Sequence, residues 1–112
     1  MKRIETIIPD RELDEVRTIL KDVNTGGMSY YRIEGSGKIK AELVTVGRGT
    51  SRMQPEYIPR TKVEVVVKDD QVEEMISTMV QKLRSDLGGK IFVVDVPIAV
   101  DIGTENRGTL AI

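Results

Sequence analysis

Residues 61–96, TKVEVVVKDDQVEEMISTMVQKLRSDLGGKIFVVDV, decide the fold of this chain. The runs at 61–67 and 90–96 are rich in valine and isoleucine and predict two strands. Between them, apolar residues recur with the period of an α-helix. The members of this predicted apolar face are Val72, Met75, Ile76, Met79, Val80 and Leu83. The stretch therefore predicts a strand, a helix and a second strand in succession.

The first third of the chain predicts a second unit of the same kind. Residues 2–8 alternate, with Ile4, Thr6 and Ile8 on one face, which predicts a strand. A helix follows, whose predicted apolar face consists of Leu13, Val16 and Leu20. Residues 28–33 predict the next strand. The order β-α-β-β-α-β predicts an α+β, ferredoxin-like fold, in which an antiparallel sheet carries both helices on one face.

Both predicted helices begin after acidic residues. We expect Asp10 to be the N-cap of the first helix. We expect Asp69 and Asp70 to cap the second helix, with Glu73 completing a capping box. These signals place each helix start directly after a strand.

Two helices cover only one face of such a sheet, yet apolar residues are expected on the other face as well. These residues are Ile7, Val66, Phe92 and Val94. An uncovered apolar face predicts an interface, and we expect self-association into a trimer or dimer. The alternative is that they are ordinary, singly exposed apolar side chains.

The composition excludes several classes of protein. The chain has 112 residues, which fits one domain, and a net charge of −1, which gives no overall attraction to nucleic acid. Without Cys or His, it has no disulfide, thiolate zinc site, Ser-His-Asp triad or imidazole metal ligand, and we expect no metal site. With no Trp and one Phe, we expect no nucleic-acid partner. The N-terminus lacks a secretory pattern and no apolar run approaches about 20 residues, so we expect a cytoplasmic protein that is not inserted in a membrane.

The connection between the second and third predicted strands, residues 35–60, is far longer than a hairpin needs. Its cationic residues are Lys38, Lys40, Arg48, Arg52 and Arg60. We expect a basic recognition loop that becomes ordered on a partner or ligand. The alternative is a disordered insertion.

Two glycine motifs, Gly35-x-Gly37-Lys38 and Gly88-Gly89-Lys90, stand at the ends of predicted strands. Glycine lets backbone N–H groups approach a phosphate, and the lysine adds positive charge. We expect the two motifs to lie side by side and together to bind phosphate. The alternative is that each is an ordinary turn.

Four segments, MKRIETII, GGMSYYRIEGSGK, IPRTKVEVVVKDD and GGKIFVVDV, resemble the PII signal-transduction (nitrogen regulatory P-II) proteins. The resemblance covers nearly the whole chain and implies a single domain, 1–112, that forms a homotrimer. It implies a T-loop at about 37–59 and a C-terminal tail at about 97–112. It also implies a regulator of nitrogen metabolism rather than an enzyme. Such proteins bind ATP or ADP in clefts between subunits, and their T-loop contacts a membrane ammonium transporter, which recruits them to the membrane, or a nitrogen-metabolism enzyme.

By the same resemblance, eight residues hold the nucleotide. Those at the adenine and ribose are Ser29, Gly35, Glu64 and Val66, and those at the phosphates are Gly37, Lys38, Gly89 and Lys90. Ile39 and Arg60 stand at the positions for the effector 2-oxoglutarate. The T-loop residues implied in partner binding are Lys40, Arg48, Gly49, Thr50, Ser51 and Arg52. Arg48 is the residue expected at a transporter.

Three positions depart from the family pattern and keep a second function open. Ile39 replaces a glutamine that helps to hold Mg²⁺ and 2-oxoglutarate, and its side chain has no oxygen. Asp101 and Gly103 replace two arginines that reach the phosphates from a neighbouring subunit. We therefore expect weak or no binding of MgATP with 2-oxoglutarate, and a smaller loss for ADP, AMP or another anion. The alternative function is that of a divergent PII-like trimer with altered ligand specificity that regulates a different transporter.

Two other functional classes are disfavoured. An acylphosphatase-like enzyme on this fold would need an anion-binding loop, and no His or Cys is present as base or nucleophile. RNA binding through the sheet, as in RRM domains, would need paired aromatic residues on the central strands.

Overall fold

The computed structural model describes residues 1–36, 57–83 and 88–112 in full, and the backbone of two short strands at 44–46 and 51–53. Short 3-10 turns lie before each α-helix, at Asp10–Glu12 and Asp69–Gln71, and near the C-terminus, at Gly108–Ala111. Within these ranges the main elements are β1 (Lys2–Ile8), α1 (Leu13–Asp22), β2 (Met28–Gly35), β3 (Val44–Val46), β4 (Ser51–Met53), β5 (Ile58–Val67), α2 (Val72–Leu83) and β6 (Lys90–Asp95).

Four of these strands form one antiparallel sheet in the order β2-β5-β1-β6. The central pair is β1 and β5, in which Ile4 lies opposite Val65 and Glu5 opposite Glu64. Each helix joins two strands that have one other strand between them: α1 joins β1 to β2, and α2 joins β5 to β6. The predicted ferredoxin-like α+β arrangement is confirmed.

The core lies between the sheet and the two helices. Along β1 and β5, buried residues alternate with half-buried ones, so one face of the sheet is buried. The Thr6 hydroxyl contacts the Met79 sulfur at 3.4 Å, which satisfies this buried polar group. On α1, Val16 and Leu20 are buried and Leu13 is partly buried, as predicted. The buried apolar residues are Ile4, Ile8, Val16, Ile19, Leu20, Val63, Val65, Val67, Met75 and Met79.

The predicted apolar face of α2 is correct except at one position. Met75 and Met79 are buried and Leu83 packs against the core, but Val80 is 60% exposed. Val80 borders a cavity of about 390 Å³ that lies between α2 and β6. Helical periodicity identifies the apolar side of a helix, but it does not tell how far the sheet extends beneath it.

The first helix begins differently from the prediction, because Asp10 does not cap it. A 3-10 turn is inserted, so the α-helix starts only at Leu13. The Asp10 carboxylate instead accepts a hydrogen bond from Thr61 Oγ1 at 2.7 Å and lies 3.7 Å from the Arg32 guanidinium. Its role is to join three parts of the chain rather than to cap one helix.

The second helix is also preceded by a 3-10 turn. Lys68 and Gln71, rather than the predicted Asp70 and Glu73, pair at its start, through one side-chain and one backbone hydrogen bond. The Lys68 N–H donates to Gln71 Oε1 at 3.1 Å, and the Gln71 N–H donates to the Lys68 carbonyl at 3.0 Å. Asp69 binds the N-terminal ammonium group at 3.0 Å.

The strands next to the long connection extend further than predicted. β2 continues to Gly35 and β5 starts at Ile58, and these two residues are paired. Within the connection, β3 and β4 form a separate antiparallel pair, with Val46 opposite Ser51. The connection is therefore shorter than the predicted 35–60, because β2 and β5 pair as far as Gly35 and Ile58, and it contains a second pair of strands. At the other end of the sheet, β6 stops at Asp95, one residue before the predicted end.

The face of the sheet opposite the helices, called the open face below, has a charged centre. The pairing places Glu5 between Glu64 on one side and Phe92 on the other. The predicted apolar residues lie around this centre on the same face: Ile7, Val66, Phe92 and Val94. The open face is therefore mixed, and the prediction of an apolar surface holds only for its surroundings.

Candidate functional site

One group of predicted site residues lies on the open face towards the end of β5. Ser29 and Glu64 are direct partners across β2 and β5, and Val66 follows Glu64 on the same face. Ser29 is exposed, and Glu64 and Val66 are half-buried, so a ligand can reach all three. We call these three residues the Glu64 half-site.

Two further predicted site residues lie on the two edge strands of the sheet. Gly35 ends β2, where it pairs with Ile58, and Lys90 begins β6, where it pairs with Ile7. Because β2 and β6 are the outer strands, three strand spacings of about 14 Å in total separate them. The expectation that the two glycine motifs lie side by side is therefore wrong, and strand order is the reason.

The Gly89–Lys90 segment combines a close backbone approach with an exposed cation. A Cβ atom on Gly89 would lie 2.8 Å from the Ile7 carbonyl oxygen, so a larger residue would force the two backbones apart. The Lys90 side chain is exposed, and it makes no ion pair with residues 1–36, 57–83 or 88–112. We call Gly89 and Lys90 the Lys90 half-site, because they offer a positive charge to an anion.

A chain of polar contacts crosses the centre of the open face from β2 to β1. The Tyr31 hydroxyl donates to Glu64 Oε1 at 3.0 Å, and the Lys62 ammonium lies 3.7 Å from the same oxygen. Lys62 is closer to Glu5, at 3.2 Å, and Glu5 is bound by Arg3 at 3.0 Å. The Lys62 ammonium also lies 5.8 Å from the centre of the Tyr31 ring, within the range of a cation–π contact.

These contacts shift the pKa values of two of the groups. The pKa of Lys62 is raised, first by its contact with Tyr31 and then by Glu5. The pKa of Glu5 is lowered, mainly by Lys62 and to a smaller extent by Arg3, against the opposing effect of burial. Both groups are therefore charged near neutral pH. At the centre of the open face, oppositely charged side chains contact one another.

Comparison with known proteins connects this arrangement with a family. The model of the family "Nitrogen regulatory protein P-II" matches residues 1–106. Nitrogen regulatory protein P-II of Pasteurella multocida is 37% identical, over 98% of this chain and 100% of the relative. P-II of Cereibacter sphaeroides and P-II 1 of Escherichia coli K12 are 36% and 35% identical, each over 100% of both chains.

The chain belongs to the nitrogen regulatory protein P-II family. The resemblance inferred from the four sequence segments is thereby confirmed. Members of this family are regulatory signal transducers, so the chain is a regulator of the P-II class and not an enzyme.

Asp101 and Gly103, which the resemblance aligns with two arginines, lie in the C-terminal tail, where Val100 pairs with Arg107. The Asp101 carboxylate accepts hydrogen bonds from the N–H groups of Gly103 and Thr104, both at 2.8 Å. These bonds, that of Thr104 first, lower the pKa of Asp101. Asp101 therefore closes a turn and keeps its negative charge near neutral pH.

Several predicted P-II residues lie outside the described residues. These are Gly37, Lys38, Ile39, Lys40, Arg48, Gly49 and Thr50. Ser51 and Arg52 belong to β4, where their backbones pair with Val46 and Thr45. Arg60, predicted at the effector, is half-buried on β5 opposite Ile33.

Sequence reasoning missed Tyr31, which contacts the predicted ligand residue Glu64. Its signal was present in the alternation of β2, because Tyr31 lies two residues after Ser29 and so shares its face. The pairing of β2 with β5, which brings Tyr31 next to Glu64, was not available from the local sequence.

Two further properties of the P-II chain concern the described residues alone. Among them, no group of three or more acidic side chains is arranged to hold a metal ion. The helices in these ranges are too short and too polar to cross a membrane.

Proposed function

We propose that this P-II family chain forms a homotrimer that binds an adenine nucleotide, ATP or ADP, between its protomers. We further propose that it acts through the T-loop on a partner, either a membrane ammonium transporter or a nitrogen-metabolism enzyme. The observation that carries the nucleotide part is the spread of the candidate residues along the open sheet face, from Ser29 and Glu64 to Gly35 at the end of β2.

The length of β2 supports a site made by two protomers. Ser29 and Gly35 both face the open side, yet six residues, about 20 Å at the rise of a strand, separate them. A nucleotide that touches both ends therefore needs two copies of the chain, each contributing one end. A symmetric dimer and a closed ring both satisfy such contacts. The resemblance to P-II proteins favours the ring of three.

Exposed apolar side chains supply surface for this assembly. On β6 they are Phe92, Val93 and Val94, and in the tail they are Ile98, Val100 and Ile102. In the single chain, the side chain of Ile102 is 98% exposed, whereas isoleucine is usually buried. Apolar surface of this extent supports burial against neighbouring copies.

The chemistry of the half-sites fits the two ends of a nucleotide. The Glu64 carboxylate is an acceptor for ribose hydroxyl groups, and the adjacent Ser29 hydroxyl both donates and accepts. The Lys90 ammonium and the backbone at Gly89 suit phosphate oxygens. Because residues 97–112 contain Asp101 and Glu105 but only one cation, Arg107, the tail adds little positive charge. We therefore propose ADP or AMP as better ligands than MgATP with 2-oxoglutarate.

Titration calorimetry of the full-length chain with ADP, AMP and MgATP tests the nucleotide part. We expect about one ADP per protomer, and about tenfold weaker binding by the variant Lys90→Ala, which loses a charge-assisted contact. Lys82→Ala removes an exposed lysine of α2 and serves as the matched control with unchanged affinity. Absence of ADP binding by the natural sequence at millimolar concentration would overturn this part. Tight MgATP binding that 2-oxoglutarate strengthens would overturn the altered specificity.

Co-sedimentation with membrane vesicles tests the partner part. We expect the full chain, but not a variant lacking residues 40–56, to sediment with vesicles that contain an ammonium transporter, in a nucleotide-dependent manner. Binding only to vesicles that carry another transporter would favour the divergent PII-like function, which the tail turn at Asp101 supports. Equal binding by the loop-deleted variant would contradict a role of the T-loop.

A further inference from the structure

We propose that Tyr31 is a positioning residue that fixes the Glu64 carboxylate for the recognition of a ribose hydroxyl group. The inference rests on the proposed nucleotide site and adds a specificity determinant to it. It starts from the hydrogen bond of 3.0 Å between the Tyr31 hydroxyl and Glu64 Oε1.

The distances identify Tyr31, rather than Lys62, as the group that fixes Glu64. The Lys62 ammonium lies 3.7 Å from Glu64 Oε1 but 3.2 Å from Glu5 Oε2, so its closer carboxylate belongs to β1. The Tyr31 hydroxyl makes the shortest of these contacts to Glu64 and is a directional donor. A hydrogen bond to an ionised acceptor is also stronger than one between neutral groups.

Both contacts are made by the same oxygen of Glu64. With Oε1 held by Tyr31 and Lys62, the plane of the carboxylate is restricted. The second oxygen, Oε2, then keeps its acceptor capacity for a donor on the open face. Ser29, directly opposite Glu64 on β2, places a hydroxyl beside that position. A carboxylate with a fixed plane next to a hydroxyl suits a ligand that carries its own hydroxyl groups, as ribose does.

The position of Tyr31 is itself restrained by its surroundings. It lies directly opposite Lys62 in the β2–β5 ladder, and the Lys62 ammonium is 5.8 Å from its ring centre. The side chain is partly exposed, so its hydroxyl is at the surface where a ligand would arrive. Tyr31 therefore links the edge strand β2 to the carboxylate without filling the core.

The test compares ADP with 2′-deoxy-ADP and 3′-deoxy-ADP by calorimetry, using the full-length chain. For the natural sequence we expect ADP to bind about tenfold more tightly than at least one deoxy analogue, since a hydrogen bond to a charged group is lost. The variant Tyr31→Phe should bind ADP about as weakly as that analogue, while its affinity for the analogue stays unchanged. A merely structural role of Tyr31 would weaken all three ligands equally.

Tyr30→Phe is the matched control, because it removes a hydroxyl from the same strand. Tyr30 lies opposite Val63, on the helix side of the sheet, and is also partly exposed. It should keep the preference for ADP. An unchanged preference in Tyr31→Phe, with ADP still bound, would overturn the inference but not the proposed function. Failure of the natural sequence to bind ADP would overturn both.

Discussion

The Asp10 carboxylate accepts a hydrogen bond from Thr61 Oγ1 at 2.7 Å, across 51 residues of sequence. Asp10 follows β1 and Thr61 lies near the start of β5, the strand that leads out of the long connection. Arg32 of β2 adds an ion pair at 3.7 Å to the same carboxylate. The strands before and after the connection, β2 and β5, thus both contact the Asp10 side chain just before α1.

The first prediction concerns this bond. Asp10→Ala should lower the free energy of unfolding by about 1–3 kcal/mol, because it leaves the Thr61 hydroxyl, which is 2% exposed, without its acceptor. Asp14→Ala, which removes an exposed carboxylate of α1 that lies 4.0 Å from Arg17, should cost less than about 0.5 kcal/mol. Urea unfolding at a fixed protomer concentration measures both values. Equal losses in the two variants would contradict the assigned role of Asp10.

A second prediction follows from the close approach of Gly89 to β1. Gly89→Ala places a Cβ atom 2.8 Å from the Ile7 carbonyl oxygen, which forces backbone movement and should destabilise the fold by about 1–3 kcal/mol. Gly27→Ala is the matched control, since a Cβ atom there meets nothing within 4 Å. Thermal unfolding should show a lower midpoint for Gly89→Ala than for Gly27→Ala. Indistinguishable unfolding midpoints would mean that the backbone at 88–90 does not closely contact β1.

The third prediction concerns pH and the C-terminal tail. The N–H groups of Thr104 and Gly103 hold the pKa of Asp101 below its ordinary value of 3.8. A lowered pKa in the folded state means that the carboxylate stabilises the turn above the unfolded-state pKa. This contribution is lost as the pH falls through the folded-state pKa, so the turn should loosen only in acid below pH 3.8.

NMR amide shifts of Gly103 and Thr104 measure this transition directly. We expect both to titrate together with a midpoint below 3.8, and the transition to disappear in Asp101→Asn. Asp70→Asn, at an exposed site before α2, should leave it in place. A midpoint at or above 3.8 would show that the two N–H groups do not bind the carboxylate in solution.

The sequence was sufficient for those features that depend on neighbouring residues. The alternation in β1, the apolar face of α1 and the order of the four sheet strands and two helices were predicted, because periodicity reports which side of an element is buried. The uncovered apolar residues were also identified. These apolar residues surround the charged side chains of Glu5, Lys62 and Glu64. That arrangement could be seen only from the pairing of the strands.

The remaining errors concern contacts between distant parts of the chain. Asp10 is of a residue type favoured at an N-cap and directly precedes the helical pattern, yet Thr61 competes for its carboxylate from another strand. The two glycine motifs are separated because β5 and β1 lie between β2 and β6. The order of the strands in the sheet cannot be inferred from either motif. Tyr31 and Glu64 are 33 residues apart, so their hydrogen bond could not be inferred before the register was known.

The central claim, that one nucleotide is held by the Glu64 half-site of one protomer and the Lys90 half-site of its neighbour, is tested most directly by subunit mixing. Glu64→Ala and Lys90→Ala are purified separately, then mixed, unfolded and refolded together, and titrated with ADP. Each variant alone should bind ADP at least about tenfold more weakly than the natural sequence. Every mixed ring contains one cleft with both natural half-sites, so a random equal mixture should recover about a quarter of the tight sites. Recovery of no tight sites, although mixed trimers form, would contradict the claim and assign both half-sites to a single chain.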